Sequence, residues 1–555
     1  MKRKLVILLA AAMLAQTGVS ALPVWGESVD ATTENEDYCL ISEEGAVIQG
    51  DGYSMEIAWC GEEGKRVFGR IYYPADFDST KQYTTVVLNH GGGVNADFWD
   101  KCYAPELAKQ GYVCYTFDCR SATEGGRGVF SDPTEDGVAT VATYSEDLNA
   151  AMDLMESKDY VDKAHLYLMG QSMGGVTVQN VASARSDEVA GMIVLYGSVS
   201  DDNKDMLPDY ESVKENPYHN GEVLFVQGAQ DASLPVDRTL ENMSWYETSS
   251  IVYINTAFHG FGVQSDRPAN ICIENVIDYL KRTENASDEM PSLPSISTEE
   301  DLLADEEGYT ASGEKYSFTV HYCGEEGSKV FGRMYYPADF DETKTYPTLI
   351  VCHGGNGNAD SQDKVYCPTL AEAGYICYAI DCRSEASGGR GSYGDPTESG
   401  TADIVSYSGD VKSALDYVES LGYVNKDSIY LMGGSMGGAT CQVVASQRAD
   451  EIAGLIILSG SLGDDMGTSM YPDYEEIKAN PYDGEVLFVQ GLDDQQCILS
   501  RTLENMEWYP NSSLTAISGM GHGYGYQMDR PAVMTMDNVK EFLYRTLNHI
   551  GEKQE

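Results

Sequence analysis

Leu166-Tyr-Leu-Met-Gly-Gln-Ser-Met-Gly-Gly175 recurs as Ile429-Tyr-Leu-Met-Gly-Gly-Ser-Met-Gly-Gly438. In both places an apolar run enters Gly-x-Ser-x-Gly and a stretch of helical periodicity follows. A serine that is to act as a nucleophile must stand on a tight strand-to-helix turn with its hydroxyl exposed. Glycine two residues to either side leaves room for that backbone. One match to the pattern is weak. Two at the same offset, each behind an apolar strand, are strong. Ser172 and Ser435 are the candidate nucleophiles.

Working outward, an acid and a base must follow in the chain order Ser, Asp, His. Gly228-Ala-Gln-Asp231 and Gly491-Leu-Asp-Asp494 each follow an apolar strand and offer the acid. Asp493 is a near neighbour, but Asp494 keeps the spacing. Phe258-His259-Gly260-Phe-Gly262 and Gly521-His522-Gly523-Tyr-Gly525 offer the base. Serine, aspartate and histidine all repeat at an offset of 263 residues. Of eight histidines, only the pairs 90/353 and 259/522 recur at matching positions. Asp201/Asp202 and Asp464/Asp465 are rival acids after the preceding strand. The loops Asn89-His90-Gly91-Gly92-Gly93 and Cys352-His353-Gly354-Gly355-Asn356 are glycine-rich, so bare amides can approach a developing oxyanion. Gly92 and Met173 are the expected donors in the first half, Gly355 and Met436 in the second. His90 and His353 are expected to be structural, since each half already has a base downstream.

The offset of 263 extends well beyond these motifs. Arg66-Val-Phe-Gly-Arg-Ile-Tyr-Tyr-Pro-Ala-Asp76 returns as Lys329-Val-Phe-Gly-Arg-Met-Tyr-Tyr-Pro-Ala-Asp339. A period this long is a domain duplication rather than a solenoid. Within the first copy a hairpin is expected over 53–59 and 67–73, then strands at 85–88, 112–117, 165–169, 190–196, 222–226 and 250–254. Helical stretches lie between them, at 144–158 and 269–281 for example. Unbroken apolar strands interleaved with helices predict a mostly parallel sheet covered on both faces. Between the copies, 283–300 is rich in Ser, Pro, Glu and Asp and reads as a linker. If flexible, it would span roughly 25 Å.

With 88 acidic and 36 basic residues, the net charge is −52. Such a surface repels phosphate backbones and anionic headgroups, which argues against nucleic-acid and membrane-surface partners. Lys2-Arg3-Lys4, an apolar run over 5–15 and Val19-Ser20-Ala21 read as a secretory leader with its cleavage site. An uncleaved anchor is the alternative reading. Thirteen cysteines without C-x-x-C, several inside strands, read as mostly free buried thiols.

At these motifs the chain resembles the α/β-hydrolase superfamily, and within it bacterial esterases related to cinnamoyl esterases, dienelactone hydrolases and serine aminopeptidases. Gln171 and Gly434 stand where the common motif has His, and Gln-Gly rather than His-Gly precedes each acid. The resemblance implies two tandem α/β-hydrolase domains, each a mostly parallel eight-stranded sheet with helices on both faces and a minimal lid. The expected layout is a signal peptide at 1–26, a first domain at 27–285, a linker at 286–305 and a second domain at 306–555. The lid would be the short span 197–221, whose tyrosines are candidates to stack on an aromatic acyl group. The expected reaction is hydrolysis of a small-molecule or polymer-linked ester through an acyl-enzyme. No metal or organic cofactor is required, and the protein would be secreted. Peptide cleavage by the same groups, or one half serving as a binding module without turnover, are the alternatives.

Overall fold

Nine main strands form in each half, most of them laid down by runs of buried Val, Ile, Leu and Met. In the first they are β1 (Val47–Gln49), β2 (Tyr53–Ile57), β3 (Gly69–Pro74), β4 (Tyr83–Asn89), β5 (Val113–Phe117), β6 (Val161–Gln171), β7 (Gly191–Leu195), β8 (Val223–Gly228) and β9 (Ser249–Ile254). In the second they are β10 (Thr310–Ser312), β11 (Tyr316–Cys323), β12 (Ser328–Pro337), β13 (Tyr346–Cys352), β14 (Ile376–Ile380), β15 (Val424–Gly434), β16 (Gly454–Leu458), β17 (Glu485–Gly491) and β18 (Ser512–Ile517). The computed structural model describes residues 43–120, 129–130, 140–262, 266–285, 301, 303–325, 328–355, 357–363, 365–382, 392–393, 403–464, 474–523 and 529–549. The expected leader (1–26) and positions 286–300 of the expected linker lie outside the described residues.

The eight expected strands of the first half all form, and β1 is an addition. The spatial order is β1-β2-β3-β5-β4-β6-β7-β8-β9, with β4 to β9 parallel and the N-terminal three antiparallel. The second half repeats this order. Helices cover both faces, which is why the central strands are apolar throughout. Val86, Val87 and Leu88 of β4 are fully buried, each contributing about 1.5–3 kcal/mol. The twelve cysteines among the described residues are buried free thiols. Among the described residues no helix is long and apolar enough to cross a membrane.

The two halves are not beads on a tether. β9 pairs antiparallel with β18, Ser250 opposite Ile517 through Ile254 opposite Ser513, so a single sheet runs through both, nineteen strands counting the two-residue Ser392–Tyr393. Val252 faces Thr515, its own equivalent at the 263 offset, so a local two-fold axis passes between them. The flanking contacts obey the same symmetry. Ser518 donates its backbone N–H to Ser249 O (3.1 Å), and Asn255 donates its own to Ser512 O (3.2 Å). Arg267 grips Glu485 (2.7 and 2.9 Å), which also accepts from Arg545 (3.1 Å). Reciprocally, Arg530 (3.2 Å) and Arg282 (2.7 Å) hold Glu222. Each half covers the open sheet edge of the other, removing two templates for unwanted strand pairing.

Helices Arg267–Glu284 and Arg530–Leu547 pack together beside this seam. Burial, then Asp537 and Glu541, push the Asp278 carboxyl up to about 7 despite Lys281, with Glu274 adding to the rise. Burial also pushes Glu541 up to about 7, with Glu274 and Glu485 adding to the rise and Arg545 opposing it. A carboxyl whose folded pKa exceeds its unfolded value binds more protons when folded. Its contribution to stability therefore falls as pH climbs between the two values and is level outside them. We expect these two groups to lower the melting temperature as pH rises from about 4 to about 7, and Asp278→Asn with Glu541→Gln to flatten that slope. Equal slopes for the two proteins in a melting series would remove these groups as its cause.

Candidate active site

The turn from β6 into the helix Met173–Ala184 places Ser172 at φ 52°, ψ −121°, and the turn from β15 into Met436–Gln447 places Ser435 at φ 51°, ψ −123°. A non-glycine residue in this region carries strain of about 1–3 kcal/mol, which the surroundings must hold. The flanking glycines are where they do so. A methyl on Gly170 would come 2.3 Å from Gly174 O, and one on Gly174 2.2 Å from Asn89 O. Ser172 N–H is tied to Leu195 O (2.9 Å), and Ser435 N–H to Leu458 O (2.8 Å).

The loops after β8 and β9 bring the acid and base to this serine. His259 Nε2 lies 3.0 Å from Ser172 Oγ, and its Nδ1 lies 2.7 Å from Asp231 Oδ2. In the second half His522 Nε2 lies 2.9 Å from Ser435 Oγ and Nδ1 2.8 Å from Asp494 Oδ2. The other oxygen of each carboxylate accepts two backbone N–H groups: Ser233 and Leu234 at 2.9 and 3.0 Å, Gln496 and Cys497 both at 2.8 Å. Burial pushes the Asp494 carboxyl up. The His522 ring and those amides outweigh it and hold the group below its ordinary value. An ionised carboxylate on Nδ1 fixes the tautomer that leaves Nε2 free to accept the serine proton. All six residues expected from the sequence come together in two groups of three.

The described rival acids are engaged elsewhere, Asp202 facing Arg238 at 3.8 Å. Asp201 is bound to Tyr210 and Lys214, Asp464 to Tyr474 and Lys478, while Asp465 lies outside the described residues. Within 197–221, Tyr210 and Tyr218 are buried and serve packing. Tyr210 stands edge-on to Trp245 (5.6 Å).

The glycine-rich loops lie beside the two elbows. A methyl on Gly92 would meet Met173 Cε at 2.9 Å, and one on Gly355 would meet Met436 Cε at 3.4 Å. A methyl on Gly354 would lie 3.7 Å from Ser435 Oγ. The neighbouring histidines are clamps. His90 Nδ1 donates to Gly91 O (2.7 Å) while Nε2 accepts from Cys119 N–H (2.8 Å). His353 does the same with Gly354 O (2.6 Å) and Cys382 N–H (3.0 Å). One ring nitrogen donates and the other accepts, which is the neutral form. Sequence reading missed Arg70, whose buried guanidinium bonds Asp97 (2.7 Å) and Asp100 just beyond this loop. Arg333 and Asp360 (2.7 Å) do so in the second half. Their recurrence inside the repeated Phe-Gly-Arg was the available signal.

The two sites differ at Tyr196 and its equivalent Ser459, both in left-handed backbone (φ 36° and 46°). The Tyr196 ring stands edge-on to His259 at 5.0 Å, and its hydroxyl donates to Phe261 O (3.1 Å). Position 171 differs as well. The Gln171 side chain lies over Gly91, where a methyl would meet its amide at 2.8 Å, and Gly434 leaves that place bare.

A serine on a strained turn after β6, a central strand of a mostly parallel sheet, with acid and base on loops after later strands, defines the α/β-hydrolase class of fold. Family models agree in both halves. That for serine aminopeptidase (S33) matches residues 80–237 and that for the alpha/beta hydrolase fold matches 347–487. The chain belongs to the α/β-hydrolase superfamily and carries its fold twice. A curated relative, the uncharacterized protein YcjY of Escherichia coli (strain K12), is 32% identical over 112 residues. That match covers 20% of this chain and 35% of the relative, so it spans about a third of that protein. Among solved structures, Est1E of Butyrivibrio proteoclasticus with ferulic acid bound is 19% identical, covering 41% of this chain and 99% of that one, with a TM-score of 0.34. Oligopeptidase B from Leishmania major is 13% identical over 42% of this chain and 37% of its own, with a TM-score of 0.34.

Proposed function

We propose that each half is a serine hydrolase of carboxylic esters, so that the chain carries two active sites, and that the protein is exported. The observation that carries this reading is the unbroken hydrogen-bonded path from serine to imidazole to buried carboxylate in both halves.

Ser172 or Ser435 Oγ attacks the ester carbonyl carbon as His259 or His522 Nε2 takes its proton. The tetrahedral oxyanion is accepted by the N–H groups of Met173 and Gly92, or Met436 and Gly355. Each such donor is worth about 3–4 kcal/mol of transition-state stabilisation. As the C–O bond breaks, the imidazolium returns the proton to the leaving oxygen and an alcohol departs. Water then attacks the acyl-serine, giving its proton to the same nitrogen. The acid is released and the serine recovers its hydrogen. Asp231 and Asp494 stay ionised and stabilise the imidazolium.

Peptide-bond cleavage is the second reading, and the serine aminopeptidase model over 80–237 favours it. Export rests on Lys2-Arg3-Lys4 and the apolar run behind them. Titration with a fluorophosphonate tests the central claim: two adducts per chain are expected, on Ser172 and Ser435. One adduct would reduce the protein to a single site, and none would end the reading. Ester and aminoacyl-peptide substrates run side by side on the same preparation decide between the two chemistries.

A further inference from the structure

Resting on the hydrolase reading, we propose that Phe258 is a specificity-determining residue of the first site. It holds an apolar group on the alcohol side of the ester, and the second site lacks this hold.

Phe258 immediately precedes His259, so the two Cα atoms are about 3.8 Å apart. Phe258 is 55% exposed, so an apolar ring that burial would stabilise stands in solvent. The segment that presents it is fixed. Phe258 O accepts from Phe261 N–H (3.3 Å), Gly260 turns the chain at φ 84°, and the Tyr196 hydroxyl holds Phe261 O (3.1 Å). A ring carried on an anchored turn can take up a ligand without first ordering its own backbone.

The second half has Gly521 at the equivalent position, and among the described residues nothing lies within 4 Å of where its side chain would begin. Copy two therefore leaves open the space that copy one fills with a phenyl ring. The His259 side chain is 35% exposed and that of His522 17%, so Phe258 stands beside its imidazole without covering it. The mechanism fixes which part of the ester meets this ring. His259 Nε2 must reach the leaving oxygen to protonate it, so the departing alcohol lies on the histidine side of the carbonyl and the acyl chain lies away from it.

The test uses the full chain with one site silenced, Ser435→Ala to isolate the first and Ser172→Ala to isolate the second. Benzyl acetate and methyl acetate share an acyl group, so the ratio of their kcat/KM values isolates the alcohol. We expect this ratio to be about tenfold higher in the first site, the worth of a modest apolar contact. Phe258→Gly should bring it down to the value of the second site, and Phe258→Tyr should keep it. Gly521→Phe, entering open space, should raise the ratio in the second site. Equal ratios in the two sites, or a ratio that Phe258→Gly does not move, would overturn this inference while leaving the hydrolase reading intact. No turnover of either ester together with no fluorophosphonate adduct would take down both.

Discussion

Replacing Ser172 and Ser435 together by Ala is expected to lower ester hydrolysis by about 10⁶-fold in kcat, while either replacement alone leaves the turnover of the other site. The reasoning is chemical. Without Oγ there is no atom for the acyl group to join, and an imidazole poised to take a serine proton is a poor base for free water. The oxyanion donors alone leave a residual acceleration of roughly 10³–10⁴ over water. Misfolding can be separated from chemistry, because alanine removes one partly buried oxygen and keeps the backbone. Melting temperature and circular dichroism should stay close to those of the parent. Substantial activity in a folded double variant would mean that another nucleophile does the work.

The second large effect is expected at the seam between the halves. Arg267→Glu with Arg530→Glu places a carboxylate against each of Glu485 and Glu222, which are 16% and 8% exposed in their side chains. Taking a partner from a buried ion pair costs on the order of 3–5 kcal/mol when the remaining charge is uncompensated. Arg282 and Arg545 still neutralise part of that charge, but the reversal adds repulsion to the loss. Because these ion pairs flank the β9–β18 ladder, the damage should spread along the seam. Calorimetry of the parent should give one cooperative transition. The variant should melt lower and in two steps, as each half unfolds by itself. A single transition at the parent temperature would mean that the seam contributes little to holding the halves together.

What could be read from the chain follows from where each constraint lies. The elbow was legible because its five residues are contiguous in the chain, although Gly174 answers to Asn89 O on another strand. The eight main strands were legible because both faces of a covered sheet demand apolar runs. β1 and β10, three residues each with exposed ends, carry no such run. Acid and base were found because chain order is fixed by the fold and every copy had a second copy to check it. The docking of β9 on β18 left no trace of that kind. An apolar strand reads the same whether its edge meets solvent or another strand, and Arg267 and Glu485 sit 218 residues apart. The composition of 283–300 reads as a linker and carries no sign of the seam that joins the halves. Arg70 and His90 illustrate the remaining gap: the repeat marked both as shared, but only coordinates reveal which loop they hold.

Pairing Val252 with its own counterpart Thr515 gives one polypeptide the geometry of a two-fold homodimer. In a true homodimer, dilution would separate the protomers, and every substitution would appear at both catalytic centres at once. Here the one-to-one stoichiometry is guaranteed by the peptide bond, and each centre is free to drift alone. Tyr196 against Ser459 and Phe258 against Gly521 are such drift, available to a fused pair and closed to a symmetric one.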